Sequence, residues 1–375
     1  MILGILKEPD FENRVSLLPE GVAELTKFKV QILIEQGAGE RAYASDDEYR
    51  TAGAEVVSRA EIYDKSEVVL IIHAPEAEFG KLKPAQVLIS VINPMMNTTL
   101  VNQLMKLGQT VFSLDIIPRS TRAQAMDILS SMATVSGYKA VLDAANQLPH
   151  FFPMFMSAAG TIKPAKVLIL GAGVAGLQAI ATSRKLGAVV EVFDVRSAVR
   201  EEVKSLGGRF IEVGGACEDA AAGGYAVEQT EEFKQKQRQL IHDHAVKSDI
   251  IICTAQIPGR KAPLLLQKDT VEHMRAGSVV IDLAASSGGN CEVTQDGKTI
   301  IHNGVKVIGK SDYPSDLPSD SSKMFGKNVI NFTKLLVNKE GVLTLNFNDD
   351  IVKGTCVCHA GEIMSDRIKS IINNK

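Results

Sequence analysis

The 375-residue chain reads as an α/β protein of two Rossmann-like, doubly wound parallel-sheet domains joined by long bridging helices. Three observations carry that reading. Short apolar, β-branched-rich runs alternate with helical segments along most of the chain, the pattern of a parallel sheet with crossover helices. One of those runs opens into G-x-G-x-x-G, followed by a helix, a second apolar run and an acid. A long helical stretch, from Ala123 to Leu148, separates the alternation that precedes it from the one that follows.

The fingerprint stretch is Lys166 to Asp194. Val167 to Leu170 is the buried strand, Gly171, Gly173 and Gly176 make the turn, and Val174 to Leu186 is the helix, ended by Gly187. The first glycine permits the tight turn, the second lets the backbone approach a pyrophosphate, and the third lets helix and strand pack closely. The pyrophosphate is expected on the helix start at Val174 and Ala175, where backbone N–H groups and the positive dipole end converge. A second strand, Val189 to Phe193, closes on Asp194, whose carboxylate suits the two hydroxyls of an adenosine ribose. A 2′-phosphate there would face a like charge, so NAD is favoured over NADP. Val195 follows, and Arg196 is the one feature that argues for NADP.

Bulk properties narrow the classes. A hydrophobic content of 45%, a charged content of 23% and the absence of Trp describe an ordinary soluble α/β protein. A net charge of −3 removes any general case for nucleic acid or an anionic membrane as partner. Five cysteines without framework spacing fit a reducing compartment, and Cys356 and Cys358 read as strand residues. The opening MILGILKEPD lacks the basic start of a signal peptide. The longest uncharged run, Val167 to Ser183, contains the glycine turn and is no bilayer span.

Taken in order, Ile2 to Leu6 is a first strand, Pro19 to Phe28 a helix and Val30 to Ile34 the next strand. Strands then recur at Ala54 to Val57, Val68 to Ile72, Val87 to Ile92 and Thr110 to Leu114. Gln36-Gly37-Ala38-Gly39 reads as a turn, because polar residues follow it. After the fingerprint come a helix at Ala198 to Leu206 and a strand at Arg209 to Val213. Gly214 to Gln229, rich in glycine and alanine, reads as a mobile lid. A polar helix is expected at Glu231 to Val246, with strands at Asp249 to Cys253, Ser278 to Leu283 and Val305 to Ile308. Ligands sit beyond the carboxyl ends of such strands, so Thr254, Ala255, Gln256 and Leu283, with Ala284 and Ala285, are expected on the nicotinamide side. Ser319 or Asp320 is expected to cap a helix running to about Val337, and Val342 to Met364 reads as short antiparallel strands.

Pro118 to Ser131 is a polar cluster at the start of the long helix. If that helix begins at Ala123, Gln124, Asp127 and Ser131 fall on one narrow arc. Such a patch reaches a cofactor, or simply caps a helix and meets solvent. The seven histidines make no metal constellation: His242 and His244 read as solvated, and His73 as a strand-end residue of structural or site character.

With these residues placed, the chain resembles the NAD(H)-binding component, the first domain of the alpha subunit, of proton-translocating nicotinamide nucleotide transhydrogenase, in the superfamily shared with alanine dehydrogenase. The resemblance runs nearly end to end, from ILKEPDFENRVSLLPEGV through the fingerprint, FDVR, GGYAVE, IPGRKAP and GSVVIDLA to GTCV. Its most specific piece is Arg119-x4-Gln124-x2-Asp127-x2-Ser130. The resemblance implies that Arg119, Asp127 and Ser130 hold the NADH carboxamide and ribose, that Gln124 projects toward a second nucleotide, and that Tyr225 sits on the mobile loop. Arg119, Gln124 and Asp127 are thus the residues expected to act in the transfer. The implied reaction is direct hydride transfer between NADH here and NADP(H) on a partner subunit, coupled to proton movement through a membrane-spanning partner. It needs no metal and no catalytic acid, only two nicotinamides held about 3 to 3.5 Å apart.

Further implications are a homodimer, a cytoplasmic place on the inner face of a bacterial plasma membrane through its partners, and separate polypeptides for the membrane and NADP parts. Residues 1–130 with 312–375 are expected as one domain, completed by the C-terminal segment, and 131–311 as the NAD(H)-binding domain. The rival within the superfamily is alanine dehydrogenase, which shares Glu12-Asn13-Arg14-Val15. Its substrate lysine aligns with His73, its catalytic histidine with Asn93 and an aspartate with Ser286, so its proton-transfer chemistry is not expected. A non-catalytic NAD-binding module is the third reading, and would leave the Arg119 to Ser130 cluster without a role.

Overall fold

The computed structural model describes residues 1–213, 230–257 and 259–373. They form two compact units, Met1–Met132 with Pro314–Lys375, and Ala133–Tyr313. In the first, β1 (Ile2–Ile5), β2 (Gln31–Glu35), β3 (Ala54–Val57), β4 (Val68–His73), β5 (Val87–Val91) and β6 (Thr110–Ser113) pair in parallel in the order β6-β5-β4-β1-β2-β3. The unbroken apolar run of β4 follows from burial on both faces. Val68, Leu70 and Ile72 enter one core, and Val69 and Ile71 enter the other.

The long helix is shorter than its apolar pattern suggests. Thr121–Met126 is a 3-10 turn, Asp127 is extended (φ −74°, ψ 93°), and the α-helix is Ile128–Gln147. Asp127 stops the earlier turn and starts the helix. Its Oδ1 accepts from the Ser130 backbone N–H at 3.0 Å, and its Oδ2 from the Ser130 hydroxyl at 2.6 Å. An N-cap aspartate satisfies N–H groups that no preceding turn can reach. The expected single arc of Gln124, Asp127 and Ser131 is therefore overturned, since these residues do not share one helix.

In the second unit, β7 (Phe155–Ser157) and β8 (Gly160–Ile162) form an antiparallel hairpin that sequence reading missed. Its sheet runs β11-β10-β9-β12-β13-β15-β14, comprising β9 (Lys166–Leu170), β10 (Val189–Phe193), β11 (Arg209–Ile211), β12 (Ile250–Cys253), β13 (Val279–Asp282), β14 (Thr299–His302) and β15 (Val305–Gly309). All pairings are parallel except β14 with β15. Val167 and Ile169 of β9 face one core and Leu168 and Leu170 the other, all within 1% exposure, which makes β9 a central strand covered on both sides. The helix Glu231–Ala245 keeps its polar face, but His242 and His244 are not solvated as expected. Their Nδ1 atoms lie 2.9 Å from the Thr270 hydroxyl and 2.6 Å from Glu191 Oε2.

The C-terminal segment completes the first unit. Helix Pro318–Thr333 buries Phe325, Val329 and Phe332 in its core. Neither Ser319 nor Asp320 caps it. Leu317 is the cap residue without a side-chain bond, Pro318 sets the first turn, and the Ser319 hydroxyl donates to the Ala42 carbonyl. The tail is only partly strand: helix Asp350–Thr355 precedes β16 (Cys356–His359), which pairs antiparallel with β6 and with β17 (Glu362–Ile363). Among the described residues no helix is long and apolar enough to cross a membrane.

Candidate cofactor site

The turn between β9 and the helix Val174–Lys185 gives each fingerprint glycine a separate physical reason. Gly171 has φ +105°, and a Cβ there would meet the Thr254 hydroxyl at 2.7 Å and the Ala255 nitrogen at 3.1 Å. At Gly176 a Cβ would lie less than 3.0 Å from the Gly171 carbonyl oxygen, so helix and strand end touch only because that side chain is missing. Among the described residues, a Cβ on Gly173 meets nothing within 4 Å. Gly173 is also the cap residue of the helix and offers its first turn no side chain, while Val174 is 41% exposed. An anion placed at Gly173 meets open space, the positive end of a helix and backbone donors at Val174 and Ala175. The residues present fit a dinucleotide pyrophosphate. A fourth glycine escaped the sequence reading: Gly137, in the helix Ile128–Gln147, where a Cβ would clash with the Ala175 carbonyl. The only signal for it was Ser136-Gly137 inside a helical run, where a glycine costs stability unless close packing needs it.

Asp194 ends β10 and is 8% exposed. Its Oδ2 accepts from Ala172 N–H at 2.7 Å, which fixes the acid to the glycine turn. Arg196 folds back on it, with Nε on Oδ1 at 2.9 Å and Nη2 on Oδ2 at 2.7 Å. Carboxylate and guanidinium thus lie against one another as an ion pair. Val195 links the two and packs at the edge of the adjoining core.

Beyond the ends of β12 and β13, Thr254 donates its hydroxyl to the Gly171 carbonyl at 2.9 Å, and the Gln256 side-chain amide donates to the Leu283 carbonyl at 2.8 Å. Two buried residues that sequence reasoning passed over hold this region. The Asn290 side chain accepts from Ala255 N–H (3.0 Å) and donates to the Ala255 and Pro263 carbonyls (both 2.8 Å). Asp282 accepts from the backbone of Ala284, Asn290 and Cys291 and from the Thr294 hydroxyl. Burial pushes its carboxyl up, against the pull of those donors. The signal for Asp282 was an acid closing the otherwise apolar run Val279 to Ile281. Tyr225, and the lid expected at Gly214 to Gln229, lie outside the described residues.

In the first unit, the structure brings Asp127 and Ser130 together through the cap, and leaves Gln124 exposed on the preceding turn and Arg119 exposed just before that turn. The neighbouring Arg122 is drawn away, pairing with Asp349 at 2.7 Å and with Asp350. Among the described residues no group of three or more His, Cys, Asp or Glu is placed to hold a metal ion.

Comparison with known proteins places this geometry. Family models described as "Alanine dehydrogenase/PNT, N-terminal domain" and "Alanine dehydrogenase/PNT, C-terminal domain" match residues 4–136 and 140–366. A Rhodospirillum rubrum protein, named as the first portion of an NAD(P) transhydrogenase subunit alpha, is 42% identical over 363 residues, covering 94% of each chain. The chain belongs to the NAD(P) transhydrogenase alpha-subunit family. The solved structure of transhydrogenase from Sinorhizobium meliloti agrees with that, at TM-score 0.87 and 38% identity over 97% of this chain and 100% of the other. An alanine dehydrogenase of Mycolicibacterium smegmatis is 26% identical over 98% of this chain and 96% of its own.

In this member of the transhydrogenase alpha-subunit family, Glu12, Arg14 and His73 are tied to one another. Arg14 commits Nε and Nη2 to Glu12, at 2.9 and 2.6 Å, and His73 Nε2 lies 2.8 Å from the same carboxylate. Burial works against the Glu12 charge, but Arg14 and His73 hold its carboxyl well below the usual range. Glu8, 3% exposed, accepts from Ile72 N–H at 2.6 Å, from His73 N–H at 3.0 Å and from the Ser16 hydroxyl at 3.2 Å. Its burial outweighs these donors and raises the carboxyl to about 7 from an ordinary 4.5. Both states are protonated below 4.5, and between 4.5 and 7 the unfolded chain ionises first. Stability contributed by this group is therefore present at acid pH and is lost as pH rises to 7, by about 3 kcal/mol. Chemical denaturation of wild type and Glu8→Gln across that range is expected to show their stability difference moving by that amount; a difference independent of pH would contradict it.

Proposed function

We propose that this chain is the NAD(H)-binding part of a proton-translocating NAD(P) transhydrogenase, exchanging hydride between NADH held here and NADP+ held on a partner subunit. The observation that carries the reading is the turn at Gly171–Gly176, with its uncapped helix start and the open space at Gly173, in a chain of the alpha-subunit family. In this reading the dinucleotide supplies the hydride carrier. The chain's own residues bind it, orient it and leave one ring face open. The backbone at Gly171, Gly173, Val174, Ala175 and Gly176 takes the pyrophosphate, and Asp194, Val195 and Arg196 surround the adenosine ribose. Thr254, Ala255, Gln256 and Leu283 lie on the nicotinamide side. Arg119, Asp127 and Ser130 grip the carboxamide and its ribose, Gln124 meets the second nucleotide and Tyr225 closes over the first.

The Rhodospirillum rubrum relative is named as one portion of a divided alpha subunit, which supports separate membrane-spanning and NADP-binding subunits as partners. The working assembly is then a homodimer on the cytoplasmic face of a bacterial plasma membrane. The alanine dehydrogenase reading is disfavoured by Arg14, whose fork already grips Glu12 where a substrate carboxylate would need it. The purified chain is expected to bind NADH with a change in its fluorescence, to bind NADPH far more weakly, and to reduce no NAD+ with L-alanine. Hydride transfer appears only when the partner subunits are added. Tight NADPH binding, or turnover of alanine, would reverse the assignment.

A further inference from the structure

Asp194 has no accepting capacity left. An ionised carboxylate offers about four lone-pair positions, and four donors fill them. Oδ1 takes the Arg196 backbone N–H and Nε–H, both at 2.9 Å; Oδ2 takes the Ala172 backbone N–H and the Arg196 Nη2–H, both at 2.7 Å. Two of these donors are backbone groups that shape the turn itself. The other two belong to one flexible side chain, and they reach the carboxylate as a parallel pair, one N–H on each oxygen. A vicinal diol presents the same pattern, two donors that engage both oxygens of one carboxylate.

We infer that the Arg196 guanidinium is a resident occupant of the adenosine-ribose seat, standing in for the two ribose hydroxyls and exchanging with them when the dinucleotide binds. The inference rests on the cofactor reading above and adds to it a specificity-determining residue. The ribose engages Asp194 only in the fraction of molecules whose arginine has swung out, so apparent affinity is lowered by that fraction. The geometry permits the exchange. The Arg196 side chain is 26% exposed against 6% for Asp194, so the arginine has solvent to move into and the acid does not. The arrangement also keeps a buried carboxylate from standing unpaired, where an isolated charge is expensive. Once displaced, the guanidinium lies beside the ribose, the place from which it lessens the penalty on a 2′-phosphate.

The test uses the full-length chain with NADH as probe. In wild type the Arg196 Nε–H, assigned by its loss in Arg196→Met, is expected to be protected from solvent exchange in the free protein and to lose that protection on NADH addition. Arg196→Met is expected to bind NADH at least about threefold more tightly, with a larger NADH-induced rise in Tm than wild type shows. Arg196→Lys, which keeps the charge but has no fork, falls between. An Nε–H whose protection NADH leaves unchanged, or an Arg196→Met chain that binds NADH as wild type does or more weakly, would overturn the inference. The exchange measurement in wild type, with the arginine assigned through Arg196→Lys, still decides if Arg196→Met does not fold. Failure of wild type to bind NADH at all would instead bring down the cofactor reading, and this inference with it.

Discussion

Replacing Gly176 with alanine is expected to abolish NADH binding and to destabilise the second unit by about 3 kcal/mol. The added methyl would lie less than 3.0 Å from the Gly171 carbonyl oxygen, a backbone atom that no rotamer change can move. Gly171 cannot yield either, because it is held at φ +105° and its N–H donates to the Phe193 carbonyl at 2.8 Å. Relief must come from shifting the helix Val174–Lys185, and with it the donors at its start. Gly173→Ala is the matched control. Its Cβ meets no atom of the described residues within 4 Å, so stability is expected to change by under about 1 kcal/mol, while NADH binding is expected to weaken because the methyl takes space proposed for the ligand. Thermal unfolding and NADH fluorescence titration of the two variants separate the effects. A Gly176→Ala protein that binds NADH like wild type would show that this turn is not the phosphate cradle.

Gln124→Asn is expected to leave NADH affinity nearly intact and to slow hydride transfer by on the order of 10²-fold once the partner subunits are present, since a misplacement of about 1 Å has that consequence. Gln124 is exposed, and its backbone carbonyl accepts from Asp127 N–H at 3.3 Å. Shortening the side chain by one methylene thus leaves the Asp127–Ser130 cap untouched and moves only the amide. Single-turnover transfer measured beside equilibrium NADH binding reads the two quantities separately. Equal losses in both would remove the positioning role, and undiminished transfer would mean that Gln124 does not meet the second nucleotide.

The strands were legible because burial on both faces leaves a simple trace: Val68 to Ile72 and Val167 to Leu170 contain no polar residue. The glycine turn was legible because glycine spacing is a backbone requirement and needs no knowledge of distant partners. The polar cluster after Pro118 was recognisable as a motif, yet its conformation was misjudged. The apolar periodicity of the long helix continues smoothly past Asp127, and hydrophobic pattern carries no mark for the residue whose side chain captures the next free N–H groups. His242 and His244 misled in the same way, because a polar helix says nothing of Thr270 and Glu191 waiting on other elements.

Fold class, the succession of the parallel strands along the chain and the dinucleotide fingerprint could all be read from the residues alone, since they follow from periodicities and backbone constraints local to a few residues. The folded chain was needed to see that Arg196 closes over Asp194, that Asn290 and Asp282 hold the loops beyond β12 and β13, that Gly137 lets a helix touch Ala175, and that Glu8 lies buried against β4. Each of these depends on which polar groups meet across long chain separations, or on the burial that changes a charge, and neither quantity is written in the spacing of neighbouring residues.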